Sequence, residues 1–278
     1  MGGTLYVVGT PIGNMGDLSE RARDTLARAD LVAAEDTRRT GSMLARLGVR
    51  ARMVSFFDGN ERERVPELLE ALRGGSDVAL VSDAGMPSVS DPGYRLVAAC
   101  AEAGVPVDVV PGPSAAIAAL VVSGLPMDRF VVEGFLPRSG RARAGRLAAV
   151  VAEPRTVVLF ESPRRVARTL ADLLASGADP DRRVVVAREL TKLHQEVLRG
   201  RLDDLARDLA GRDLKGEVAL VVEGAAGGPE SAQGLDDAVR IAAAEVAAGA
   251  RKRDAARAAA ARTGIPSARI YDALAAAG

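Results

Sequence analysis

At 278 residues the chain exceeds one ordinary domain, and two α/β domains with a small appendage are expected. Its 48% hydrophobic and 27% charged residues argue against a disordered chain, and 37 Lys and Arg against 37 Asp and Glu exclude nucleic-acid binding by global charge alone. The lone cysteine, Cys100, reads as a core thiol and excludes a disulfide framework, which fits a cytoplasmic protein; no run reaches membrane length, and the short apolar stretch Leu5–Val8 is no signal peptide.

The chain begins with an expected strand over Leu5–Val8 that breaks into Gly9-Thr10-Pro11-Ile12-Gly13-Asn14. Gly9, Gly13 and Gly16 are spaced wrongly for a dinucleotide fingerprint, which excludes a standard Rossmann motif. Asp17 and Glu20 form a D-x-x-E capping pattern, and Leu18, Ala22, Leu26 and Ala29 recur at helical spacing. A second strand over Leu31–Ala34 ends in Glu35-Asp36-Thr37-Arg38, readable as a helix start or as chemistry at a strand end. A third, over 53–56, precedes Phe57-Asp58-Gly59-Asn60-Glu61, which suits turn and cap residues, and a helix to Arg73.

Val78–Val81 suits a strand buried on both faces. It stops at Ser82-Asp83, and the loop Ala84-Gly85-Met86-Pro87 follows, with Asp91-Pro92-Gly93 opening the next helix, expected over 92–103. In open α/β sheets the ligand crevice lies at such carboxyl ends, so Asp83, Ala84 and Gly85 are candidate ligand contacts. A fifth strand over Val107–Val110 leads to Pro111-Gly112-Pro113-Ser114-Ala115-Ala116 and a helix reaching Ser123. Five strands alternating with helices predict a mostly parallel sheet, with a boundary at Gly124.

A second α/β domain is expected from strands over 130–133, 156–160, 183–187 and 218–222, with helices after Gly140, after Pro163 and over 202–209. Arg188 to Glu196 reads as an unusually polar connection holding His194, the only histidine, which reads as structural. Arg138, Arg141, Arg143 and Arg146 form a basic cluster, either a solvated helix face or a phosphate contact. Residues 225–234 read as a linker. Beyond them Arg251, Lys252, Arg253, Arg257, Arg262 and Arg269 lie on two helical segments around Thr263-Gly264-Ile265-Pro266, a helix-turn-helix-like or plain hairpin pattern. The expected division is 1–124, 125–224, the linker 225–234 and a helical module over 235–278.

In order along the chain stand VGTPIGN, AAEDTR, LVSDAGMPSVSDPGY, PGPSA, EGFLPR, FESPRR, ARELTK and GEVALVVEG. This series resembles the ribosomal RNA small subunit methyltransferase I family, of the tetrapyrrole-methylase-like class, and spans almost everything from Leu5 to Glu223. The resemblance implies two α/β domains with S-adenosylmethionine in the cleft between them, a homodimer, and 2′-O-methylation of a cytidine ribose in 16S rRNA, within the 30S subunit. It implies cofactor contacts at Pro11, Asp83, Ala84, Gly85, Pro87, Ser114, Ala115 and Ala116, with Phe160 and Leu190 closing the pocket. Glu35, Asp36, Asp58 and Glu61 are the carboxylates expected to assist proton removal, with Asn60 orienting the ribose. Arg38, Arg138, Arg188, Lys192, Arg251, Lys252 and Arg253 are expected to meet RNA, and no metal is expected. Where many relatives carry histidines this chain has Phe57 and Gly59. The rival readings are a tetrapyrrole methyltransferase of the same fold and a non-catalytic RNA-binding assembly protein.

Overall fold

The computed structural model describes residues 2–225, 232–263 and 265–276. These fall into two compact units: one runs to Ala118 and includes Glu189–Glu196, the other holds Ala119–Arg188 and the chain from Val197 onward.

The first unit is a five-stranded, wholly parallel sheet. Its strands are β1 (Leu5–Val8), β2 (Leu31–Ala34), β3 (Met53–Ser55), β4 (Val78–Val81) and β5 (Val107–Val110), in the order β3-β2-β4-β1-β5. Helices α1 (Glu20–Arg28), α2 (Thr37–Arg46), α3 (Glu61–Arg73), α4 (Tyr94–Glu102) and α5 (Ala115–Ser123) connect or follow them. Parallel strands demand crossovers, and the crossovers cover both faces. Along β4, accordingly, Val78 and Leu80 enter one apolar cluster with Phe56, Leu68 and Leu96, while Ala79 and Val81 enter another with Leu26 and Leu44. Cys100 is buried in the first of these, as a core thiol should be, and burial raises its pKa. The α1 cap differs from the expected pattern: Ser19 accepts from Ala22 N, while Asp17 sits in a preceding 3-10 turn over Met15–Asp17. The division between units falls inside α5, shortly before Gly124.

The second unit carries a mixed sheet of β6 (Phe130–Phe135), β7 (Thr156–Glu161), β8 (Arg183–Arg188), β9 (Glu196–Arg201) and β10 (Val218–Val222), ordered β6-β7-β10-β8-β9. β10 runs antiparallel between β7 and β8, and β6 is parallel to β7 with an irregularity between Val132 and Gly134. Helices α6 (Gly140–Ala152), α7 (Val166–Ala175) and α8 (Leu202–Asp208) pack Leu147, Leu170, Leu173 and Leu202 onto it. β9 was hidden in sequence because Glu196-Val-Leu-Arg-Gly-Arg alternates poorly and forms an edge with no fully buried residue. Three further helices, α9 (Ala232–Ala247), α10 (Lys252–Thr263) and α11 (Ser267–Ala276), share their own apolar cluster around Ala238, Ala256, Ala259 and Ile270. Most of the expected linker, and Gly264 of the expected turn, lie outside the described residues. No described helix is long and apolar enough to cross a membrane.

The basic cluster before and within α6 is corrected by burial. Arg143 is 3% exposed; its guanidinium donates to Asp172 Oδ2, Thr169 Oγ1 and the Pro137 carbonyl at 2.8–3.1 Å. Buried Glu161 accepts from Thr169 Oγ1 at 2.7 Å and pairs with Arg165 at 2.6 Å. Arg146 pairs with Glu133. Only Arg138 and Arg141 of the four stand exposed without such a partner among the described residues, because a helix repeat turns every fourth position inward.

Candidate active site

Three turns at the carboxyl ends of β1, β4 and β5 are locked together. Thr10 and Gly85 exchange backbone hydrogen bonds of 2.9 and 3.0 Å, and Gly9 N donates to the Val110 carbonyl at 2.9 Å. A Cβ on Gly9 would lie 2.6 Å from Gly112 Cα, so these turns meet backbone to backbone and only glycine fits. Gly85 holds φ +84°, beside the Pro113 carbonyl and Ile12. Pro11, Asp83, Ala84, Gly85, Pro87, Ser114, Ala115 and Ala116 therefore lie on neighbouring turns of one unit. The segment Glu189–Glu196 joins them: Lys192 and Thr191 pack on Gly13, Leu190 is nearly buried, and Thr191 Oγ1 is buried with no partner. Glu189 and Thr191 both hold positive φ, 51° and 66°, uncommon for side chains of their kind. Phe160 belongs to the other unit, on β7, its ring 5.5 Å from that of Phe135.

Carboxylates crowd the ends of β2 and β4. Glu35 Oε2 accepts from Asp83 N at 3.0 Å; Asp83 accepts from Asp36 N and from Arg39, each at 3.1 Å. Half-buried Asp91 faces the same group, and its pKa is pushed up to about 6 by burial first, then by Glu35, with Asp83 and Asp58 adding and the Ser82 hydroxyl opposing. Ser82 is 2% exposed, and its Oγ has no hydrogen-bond partner at normal distance. Sequence reasoning assigned Asp91 to the start of a helix. α4 instead begins at Tyr94, and Ser88 and Ser90, both at positive φ, swing Asp91 back over the strand ends. The available signal was Pro92, since the residue before a proline avoids helical geometry.

Several other acids hold the scaffold. Asp36 caps α2, accepting from Arg38 N at 2.8 Å and from its guanidinium, and these bonds hold its pKa at about 2. Asn60 accepts from Phe57 N and donates to the Ser55 carbonyl. Buried Glu61 accepts from Gly93 N and Arg95 N and pairs with Arg95, tying down the loop that carries Asp91. Asp58 is exposed, and Phe57 folds its ring against Gly59.

The expected cations are dispersed. Exposed Arg38 pairs with Asp36, Lys192 with Glu189 at 2.7 Å, and Arg188 donates to the Lys215 carbonyl. Arg138, Arg251, Lys252 and Arg253 are exposed in the other unit, and His194 is exposed. No described group of histidine, cysteine, aspartate or glutamate is arranged to hold a metal.

Residues 4–206 match the tetrapyrrole (corrin/porphyrin) methylase family. The chain is 49% identical to a ribosomal RNA small subunit methyltransferase I of Mycobacterium tuberculosis, covering 98% of this chain and 94% of that one. It is 46% identical to a Thermotoga maritima protein of the same name over 80% of this chain and 99% of the relative. Among solved structures it is similar to uroporphyrin-III-C-methyltransferase from Thermus thermophilus, with TM-score 0.56 and 26% identity over 80% of this chain and 94% of that one. The methyltransferase CobJ shares the fold at TM-score 0.60 and 21% identity, over 81% of this chain and 95% of that chain. With three joined turns at the ends of a parallel sheet and this kinship along nearly its whole length, the chain is a methyltransferase that belongs to the ribosomal RNA small subunit methyltransferase I family.

Proposed function

We propose that this protein transfers a methyl group from S-adenosylmethionine to the ribose 2′-oxygen of a cytidine in 16S rRNA, acting in the cytoplasm on the 30S subunit. The observation that carries it is the 49% identity, over 98% of the chain, to a relative named for small-subunit rRNA methylation.

The first-unit turns fit the cofactor. Glu35, Asp83 and Asp91 make an anionic surround for a cation, Ala84, Gly85 and Ala115 leave backbone within reach, and the buried Thr191 hydroxyl has no protein partner. Pro11, Asp83, Ala84, Gly85, Pro87, Ser114, Ala115 and Ala116 hold it, with Phe160 and Leu190 as further contacts. When bound, S-adenosylmethionine supplies an electrophilic methyl group on a sulfonium. The protein's own part is to orient the ribose and take its proton. Asp91 is assigned as the proton acceptor, because a carboxylate with a pKa of about 6 is a stronger base than an ordinary one and is still ionised at neutral pH. Glu35 and Asp58 sustain that basicity; Asp36, Asn60 and Glu61 hold the loops in place. Arg38, Arg188 and Lys192 steady phosphates near the target, which must be unpaired to be reached.

Residues 1–124 carry the cofactor turns in this reading, 125–224 the second sheet, and 235–278 a helical grip on RNA. A homodimer is proposed from exposed apolar residues: Val107, Val109 and Ile117 in one unit, Phe130, Val132 and Phe135 in the other.

The test is transfer of labelled methyl from S-adenosylmethionine to 30S subunits lacking the modification, followed by mapping of the nucleotide. One 2′-O-methylcytidine is expected. Transfer to a porphyrin-like acceptor and none to 30S subunits or free 16S rRNA would replace the substrate. Cofactor binding with no transfer to either would point to a non-catalytic role.

A further inference from the structure

Between α10 and α11 lies a half-open pocket of about 370 Å³, within the size range of small-ligand sites. Small Ala256 and Ala268 are part of its lining. Arg253 and Arg257 line one side from α10, one helical turn apart; Ser267, Tyr271 and Asp272 line the other from α11.

Cations elsewhere in the chain are a mixture: Arg138 and Arg141 are exposed without a partner among the described residues, while others are paired. Arg64, Arg95, Arg143, Arg155, Arg183 and Arg201 each meet a carboxylate. By contrast Arg251, Lys252, Arg253, Arg257, Arg262 and Arg269 are exposed, and none has a side-chain hydrogen bond or ion pair to another described residue. Asp254 and Asp272, on the same helices, leave them unpaired. Six cations held unneutralised on one helical pair fit an anionic partner, and two of them converge on a pocket that also offers the 41% exposed ring of Tyr271.

We propose that this pocket holds one unpaired RNA nucleotide that carries an exocyclic amino group. Arg253 and Arg257 fork onto its phosphate, the base lies on Tyr271, and the Asp272 carboxylate accepts from the amino group. Asp272 is the discriminating element: it repels a bare phosphate and the carbonyl of uracil, yet rewards cytosine or adenine. The proposal rests on the reading that RNA is the substrate, and places a second contact on it outside the cofactor turns.

The test is fluorescence anisotropy of the full-length protein with short single-stranded oligoribonucleotides that differ by cytosine or uracil at one position. A cytosine preference of about 10-fold is expected. D272N should erase that preference while leaving the cytosine oligonucleotide bound. R253Q/R257Q should weaken binding about 10-fold and reduce the salt slope by about 0.7, the share of one single-strand phosphate. All these side chains are exposed, so melting temperature should not move. Equal affinity of the wild-type protein for the two oligonucleotides, or undiminished binding by R253Q/R257Q, overturns the proposal. Methyl transfer by the wild-type protein to 30S subunits is measured alongside: transfer with an indifferent pocket removes this inference alone, and a selective pocket without transfer removes the enzymatic reading alone.

Discussion

At the scale of single residues, Asp91 and Arg143 show how burial decides a side chain's work. A carboxyl whose folded pKa is raised from 3.8 to about 6 binds its proton more tightly in the folded state. Its contribution to stability is therefore present below pH 4 and is lost as pH rises towards 6, a loss on the order of 1–2 kcal/mol after solvent screening. D91N should lack this loss, so denaturation at pH 4 and pH 7 should show the variant gaining on wild type at the higher pH. The same substitution should lower kcat by about 100-fold with cofactor affinity retained, and abolish the fall in activity below pH 6 that the wild type should display. Unchanged kcat would remove Asp91 from the chemistry. Arg143 is a structural cation: R143M removes the buried partner of Asp172 and Thr169, while Glu161 keeps Arg165 and Asp172 keeps Arg168, and should cost about 1–3 kcal/mol by chemical denaturation, whereas R146M, at a half-exposed pair, should cost less than about 1 kcal/mol.

At the scale of elements, the turns after β1, β4 and β5 function as one piece because their backbones touch. G9A forces a methyl to within 2.6–2.7 Å of Gly112 and Met86, and should cost about 1–3 kcal/mol while raising the KM for the cofactor. G145A, inside α6 with nothing within 4 Å, should instead stabilise by about 0.5–1 kcal/mol in the same denaturation assay. A destabilised G145A would mean that the space around it is not open. The loop 82–93 is held differently, by Glu61 beneath it and by two serines in left-handed geometry.

At the scale of the molecule, two sheets of different construction serve different ends. The all-parallel sheet presents every strand's carboxyl end, with its loops, on one side, which is why the acids and small residues gather there. The mixed sheet interleaves antiparallel β10 and has its buried ion network at Arg143 and Glu161. Edge strand β5 leaves Val107 and Val109 exposed, 40% and 52%, an apolar edge that the proposed homodimer would cover. V109E should convert a dimer to a monomer in sedimentation at micromolar protein. A wild-type monomer under the same conditions would refute the proposed homodimer.

Much of this was legible in the chain. The strands of the first unit were readable from short Val-rich and Ala-rich runs punctuated by glycine and proline, and the helices from their apolar period, because local sterics and amphipathic burial act within a few residues. The motifs from VGTPIGN to GEVALVVEG carried the family, and with it the expected site. Residues 196–201 hid a strand because an edge position asks little of its sequence. Arg143 looked like its neighbours, since charge alone does not say which arginine will be buried against a threonine 26 residues away and an acid 29 residues away. Asp91 read as a helix start until the fold brought Glu35, Asp58 and Asp83 around it. By itself the sequence determined most of the elements, the small residues and the kinship. Only the tertiary structure decided which carboxylates share a dielectric environment and which cations stay unpaired, because those depend on distances between residues far apart in the chain.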